Sequence, residues 1–368
     1  MTSISAFLRR GGQILGLTAF LLPGICAEAQ VKPPRTPVYP RPAPPATDSL
    51  AQDQVGEDKE FANPSVLGQG PSKGLIFHYE RTAAFDITSK SRSEDFEDRK
   101  GTVSNNDRFI VKGYIPVWNR PHLKMVVGVN YEREEFEFKD RPTGYTLYDE
   151  LEEKGLKTLG TQLVVLRPLN EDNFVLGRVK GELNGDYTSS ALQLKDYLRM
   201  SYELVYGWKK SPTFSWGIGA QLGYTFGRRS IYPAILYNRT WSDHWGVEAL
   251  FPARVLVRHN ASAKSLLFAG YEVNGLSYIL KFRETLPIDP TLTTVELRET
   301  EVKMRGRWER EIYDFLWFGA EGGYRYNNSF DVFDRRNGRT KVIDNKLAGT
   351  PYFSLELFIV PPRRFLKK

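Results

Sequence analysis

Cysteine is all but absent: Cys26 is the only one in 368 residues. It falls within an N-terminal stretch that reads as an export signal, so the exported chain carries no thiol. Disulfides, thiolate metal sites and cysteine nucleophiles are thereby excluded from it. Histidine is nearly as scarce, with four, and their spacing suits no zinc site. Between residues 73 and 360 no run of about 18 apolar residues occurs, which excludes a transmembrane helix there. No glycine-rich segment opens a helix as a phosphate cradle does. Charge of one sign is not concentrated anywhere, because 51 Lys and Arg are interleaved with 44 Asp and Glu. The net charge of +7 therefore supplies no basic patch, and nucleic acid is not an expected partner. No cofactor and no metal is expected, and no enzymatic activity.

Four segments are legible. Residues 1–29 form a signal peptide: Arg9 and Arg10 precede an apolar stretch at 14–22, and Ala27 and Ala29 prepare cleavage before Gln30. Residues 30–72 read as a proline-rich periplasmic linker, with Pro33, Pro34, Pro37, Pro40, Pro42, Pro44 and Pro45 favouring extended polyproline II. A docking segment for a periplasmic partner is the alternative. Residues 73–360 are the folded body, and 361–368 a basic tail.

The body alternates in polarity with period two. In 214–226 the even positions are Phe214, Trp216, Ile218, Ala220, Leu222, Tyr224 and Phe226, and the odd ones are Ser, Gly, Gln or Thr. Helices tolerate such a glycine load poorly. Apolar on one face and polar on the other, in long segments, is the pattern of a transmembrane barrel, where one face meets lipid and closure satisfies the backbone. Short connections are expected near 119–121, 168–173, 209–213, 242–244, 274–275 and 311–314. Long ones are expected near 88–106, 139–155, 186–195, 227–230, 258–264, 284–293 and 328–346. The two sets alternate, which predicts an all-β, antiparallel up-and-down barrel of about fourteen strands. Twelve is the alternative, if the Asn274-Gly275 turn is a bulge and a second merger occurs. Short turns belong to the periplasmic side. All seven tryptophans lie near short turns; Trp208, Trp216, Trp245 and Trp308 point outward as an interface girdle, whereas Trp118 and Trp317 point inward unless bulges intervene.

The phrases Ile231-Tyr232-Pro233-Ala234-Ile235-Leu236-Tyr237, Trp245-Gly246-Val247-Glu248-Ala249-Leu250-Phe251-Pro252 and Leu316-Trp317-Phe318-Gly319-Ala320-Glu321-Gly322-Gly323-Tyr324-Arg325 resemble those of an uncharacterised family of outer-membrane barrels found in Bacteroidota. The resemblance covers the barrel and implies no activity. It places the chain in outer-membrane lipid by way of the barrel-assembly machinery. The C-terminus departs from the usual aromatic ending, so the face of Phe353, Leu355, Leu357 and Ile359 is expected to carry the insertion signal.

Chemistry has few candidates. His78 shares a face with Glu80, a carboxylate that could orient it as a base. The charges expected to line the lumen include Glu80, Arg178, Arg199, Glu203, Arg254, Glu301, Lys303, Arg305, Arg307, Glu321 and Arg325. Basic residues outnumber acidic ones among the inward positions, so a conducting lumen would favour small anionic solutes. If the charges pair across strands, they fill the interior instead, with Gly217, Gly219 and Gly223 making room for arginines. A passive channel or small-solute transporter, a closed structural or envelope-interaction barrel and an outer-membrane hydrolase are the three classes that follow.

Overall fold

The computed structural model describes residues 61–362 apart from 93–97, 140–143, 188–193, 225–226, 283–290, 337 and 339. The segments expected to be a signal peptide, a proline-rich run with its docking alternative, and most of a basic tail lie outside the described residues.

Sixteen strand segments make one sheet: β1 (Leu75–Thr82), β2 (Phe85–Ser91), β3 (Arg99–Arg120), β4 (Leu123–Phe138), β5 (Leu156–Pro168), β6 (Asn173–Gly185), β7 (Leu198–Ser211), β8 (Phe214–Gly223), β9 (Ser230–Thr240), β10 (Trp245–Phe251), β11 (Arg254–Ser262), β12 (Ser265–Lys281), β13 (Thr294–Tyr313), β14 (Leu316–Asp334), β15 (Lys341–Leu347) and β16 (Thr350–Ile359). Helices α1 (Thr146–Lys154) and α2 (Leu194–Tyr197) follow β4 and β6. β1 and β2 are halves of one wall strand interrupted at Ala83 and Ala84, and β15 and β16 are halves of another. β1 pairs with β16 and β2 with β15, while β3 and β14 each span both halves. The wall is therefore a closed, antiparallel barrel of fourteen strands.

The pleat explains its faces. In β16 exposure alternates at every residue: Phe353, Leu355, Leu357 and Ile359 are outside, and Tyr352, Ser354, Glu356 and Phe358 are buried. Leu204, Ile218 and Met304 likewise stand at least half exposed on the outer surface. So continuous an apolar exterior suits lipid and not water.

The strand count agrees with the sequence pattern, but two connections lie elsewhere. The expected strand through 245–258 is a hairpin that turns at Pro252 and Ala253, because Pro252 has no N–H to extend the ladder. The loop expected at 258–264 is a short turn at 263–264, which puts His259 on β11. Asn274 and Gly275 form no turn; they pair with Glu301 and Thr300 inside a ladder of β12 with the 20-residue β13. The continuous partner strand overrides the local turn preference of Asn-Gly. These displacements cancel in the count. Trp118 is outside, since the register shifts between Pro116 and Trp118; Trp317 is inside, stacked on Phe358.

The interior has three tiers. At the long-loop end, Ile87, Val103, Phe136, Phe330, Val332 and their neighbours form an apolar core into which α1 buries Leu147, Tyr148 and Leu151. At half height lies a belt of charges. At the short-turn end, residues 61–73 cross the mouth as a strap without regular secondary structure. These residues, read from sequence as the end of the linker, are bound to wall strands around the mouth. Ser215 Oγ and Asn238 Nδ2 donate to Pro64 O (2.5 and 2.8 Å), Thr240 Oγ1 to Leu67 O (2.6 Å) and Asn260 Nδ2 to Gly68 O (3.0 Å). Phe61 meets His122 edge to face, and Ala62 and Val66 are buried. Gly68 has φ +79°, and a Cβ there would lie 2.8 Å from Asn260 Nδ2, so the strap turns where only glycine fits.

A charged luminal cavity as candidate site

Alternation on β3, β4, β13 and β14 aims charged side chains at one level of the lumen. Arg108, which the sequence reading missed, sits at the centre. Its guanidinium lies 2.8 Å from Glu301, 3.0 Å from Glu134 and 3.4 Å from Glu132, with Glu80 and Glu299 just under 4 Å away. Lys303 Nζ contacts Glu80 at 2.6 Å and Glu301 at 3.2 Å. Arg325 is wholly buried, donates to Asn106 Oδ1 at 2.8 Å and lies over the ring of Phe85. Below this belt Arg305 bridges Glu272 and Glu321, and Arg307 bridges Glu309 and Glu356. Lys73, at the end of the strap, reaches Glu309 and Glu356, each at 2.7 Å. Lys303, Arg305 and Arg307 are thus not an unopposed cationic ring. The excess of positive charge expected from sequence is largely offset by Glu134, Glu272, Glu309 and Glu356. Their signal was position: Glu134 and Glu309 follow Glu132 and Arg307 by two residues, hence on the same face.

Arg178 pairs with Glu203. Arg254 stands at the tip of the β10–β11 hairpin, exposed, with no carboxylate within 4 Å among the described residues. Arg199 departs from the expected lumen position. It is on the inner face of β7, yet it meets Ser277 Oγ at 3.3 Å and Glu296 at 3.8 Å, both on the outer face of β12 and β13, because the wall overlaps itself there. Trp208 and Trp216 stack at 4.4 Å, Trp245 covers His259, and Trp308 Nε1 donates to Ser265 Oγ; all four lie at the short-turn end. The glycines of β8 do not house arginines. A Cβ on Gly217 would lie 2.8 Å from Tyr206 O, and one on Gly219 would collide with the backbone of Leu204 and Val205, so they serve close approach to β7.

His78 lies between Glu80 (3.7 Å) and Glu356 (3.3 Å), an ion-pairing arrangement without a hydroxyl nucleophile among its partners in the described residues. Between the belt and the strap is a cavity of about 710 Å³, lined by cations and carboxylates in nearly equal number together with Asn130, Gln162 and Gln221. Lys112 and Arg254 face it without an ion pair among the described residues. A second cavity of about 300 Å³, walled by Val164, Leu176, Leu236 and Leu250, shares Arg178 and Arg254 with the first.

No curated protein sequence matches the chain. Among solved structures it is similar to the COG4313 outer membrane channel from Pseudomonas putida F1, at 12% identity over 80% of this chain and 97% of that one, with a TM-score of 0.39. It is also similar to a Pseudomonas aeruginosa FadL homologue (8% identity, 78% and 90% covered, TM-score 0.34) and to the Pseudomonas putida toluene transporter TodX (8%, 84% and 96%, 0.32). The model of a domain of unknown function, DUF6268, matches residues 125–358, from the fourth wall segment to the last, and the chain belongs to that family.

Proposed function

We propose that the chain is exported, inserted into outer-membrane lipid by the barrel-assembly machinery, and works there as a gated passage for small polar solutes. The observation that supports this reading is the cavity of about 710 Å³. Small-molecule sites span roughly 300–1,000 Å³, and a barrel with a purely structural role has no need to leave such a volume unfilled. With short turns toward the periplasm, the strap closes the inner mouth and the apolar core with α1 closes the outer one. The strap is held largely by side chains donating to its main-chain carbonyls, contacts that water can replace at modest cost. Lys112 and Arg254 make a solute with negative charge the favoured occupant.

The dense pairing around Arg108 favours a second reading, a barrel permanently shut. Conductance of the refolded exported chain in planar bilayers separates the two. Asn238→Ala combined with Thr240→Val loosens the strap without touching the charge belt. Rare openings in the parent and frequent ones in this variant are expected. Silence in both, with the barrel folded, leaves the closed barrel.

A further inference from the structure

Between β9 and β12 the wall is a scroll and not a hoop. The intervening hairpin is short, with 7 and 9 residues in β10 and β11 against 17 in β12. Its tip ends the ladders at Ile235↔Phe251 and Arg254↔Glu272. Beyond it, residues 230–234 of β9 have no strand partner on this edge, and β12 has none before Ile279, among the described residues. The sequence of β9 suits a free edge. Its even residues aim N–H at β8, as Thr240 does at Thr213, and its odd residues aim at β10, as Trp241 does at Trp245. Pro233, which lacks an N–H, therefore stands where no acceptor is present.

The two free edges pass over one another. Besides Arg199 on Ser277, Gly227 of the β8–β9 connection lies on Thr300: a Cβ there would be 2.9 Å from its hydroxyl. Ser277, Ile279 and Thr300 point outward by register, yet none is more than 2% exposed. The luminal cavity reaches into this overlap. Its lining includes Leu250, Ala253 and Arg254 at the hairpin tip, and Val273 and Gly275, which face outward on β12. At bilayer depth an open sheet edge persists only where it is buried or borders a water-filled cavity.

We propose that the overlap is a lateral port joining the lumen to the bilayer, and that it admits a single-chain amphiphile with an anionic head group. This rests on the reading of the barrel as a passage and adds an amphiphile, entering from the side, to the small polar solutes proposed above. Arg254 at the lip has no carboxylate partner within 4 Å among the described residues and is free to pair with the head. The second cavity beside it, which shares Arg254 and Arg178 with the first and carries Val164, Leu176, Leu236 and Leu250 on its apolar side, receives the chain. On the outside, the free edge presents Ile231, 74% exposed, to lipid acyl chains.

The test is photolabelling of the full barrel in phosphatidylcholine vesicles with dodecanoate carrying a terminal diazirine, and with the matching dodecanol. With its head on Arg254 and its chain end in the second cavity, dodecanoate is expected to label Val164, Leu176, Leu236 and Leu250 above the general lipid-facing band. Arg254→Gln should weaken that labelling roughly tenfold, the value of one charge-assisted contact, and Gly275→Trp should block it. Labelling confined to outer-surface residues such as Leu204 and Ile218, or equal labelling by the alcohol, overturns the port. Glucose release from the same vesicles, measured in the strap variant, reads the transport function separately. Release without port labelling defeats the port alone, whereas labelling without release defeats the polar-solute reading and leaves an amphiphile site.

Discussion

Replacing Arg108 with methionine removes a side chain of similar length and the charge that five carboxylates share. Glu301, Glu134, Glu132, Glu80 and Glu299 all lie within 4 Å of it, and Arg108 is only 5% exposed. At an effective dielectric of about 20, one pair at about 4 Å is worth roughly 4 kcal/mol before desolvation. Removing one partner of a buried cluster typically costs about 3–5 kcal/mol, because the other charges remain buried and unmatched. Lys303 and Arg325 stay nearby to limit the loss, so the expected destabilisation is about 3–5 kcal/mol and not a multiple of it. Urea unfolding in lipid vesicles, followed by tryptophan fluorescence, measures it. Glu134 is fully buried, so adding Glu134→Gln to the Arg108→Met variant should restore about 1–3 kcal/mol as a coupling energy. A single variant that unfolds within about 0.5 kcal/mol of the parent would refute the reasoning and mean that water screens the belt.

Ile218 stands outward and half exposed in the middle of β8, whereas Gln221 lines the cavity. Ile218→Arg should cost about 2–4 kcal/mol of barrel stability and Gln221→Arg much less; the reverse order in the same unfolding assay rejects the register. At the long-loop end Asp196 of α2 is held below the usual carboxylate range by hydrogen bonds from Arg335 and Lys281. A depressed folded pKa contributes stability above the unfolded value and loses it as pH falls through the folded one. Hydrogen-exchange protection of residues 194–197 should therefore be constant from neutral pH down to about 5 and fall below about 4; protection that falls between pH 7 and 5 contradicts this anchor.

The strands were legible because a two-sided environment imposes period two, and β16 shows it residue by residue. Turn positions were less so. Pro252 ends a strand by what it lacks, but the sequence around it, Leu250-Phe251-Pro252-Ala253, carries no glycine or asparagine to mark a hairpin. The charge belt was half legible. Which strand face each residue occupies follows from parity, so Glu80, Glu301 and Lys303 were found. Arg108 lies just beyond an expected loop at 88–106, with too little strand before it for parity to be read. Its partners come from strands far apart in sequence, and no local pattern records which charges meet across a lumen. The strap was invisible for a related reason: much of its hold on the wall runs through its main-chain carbonyls, which no side-chain pattern records.

The seam of the barrel joins residues 75–82 to 352–359, almost the full length of the folded chain. Contacts so distant in sequence are the last to be repaid during folding, since every loop between them must close first. The first and last strands must each be kept from pairing with another chain until they find one another. Because both are interrupted at matching height, the seam comprises two short ladders, β1 with β16 and β2 with β15. Registration can therefore be checked twice: an error in the first ladder leaves the second unable to form, and a misaligned barrel stays open for correction.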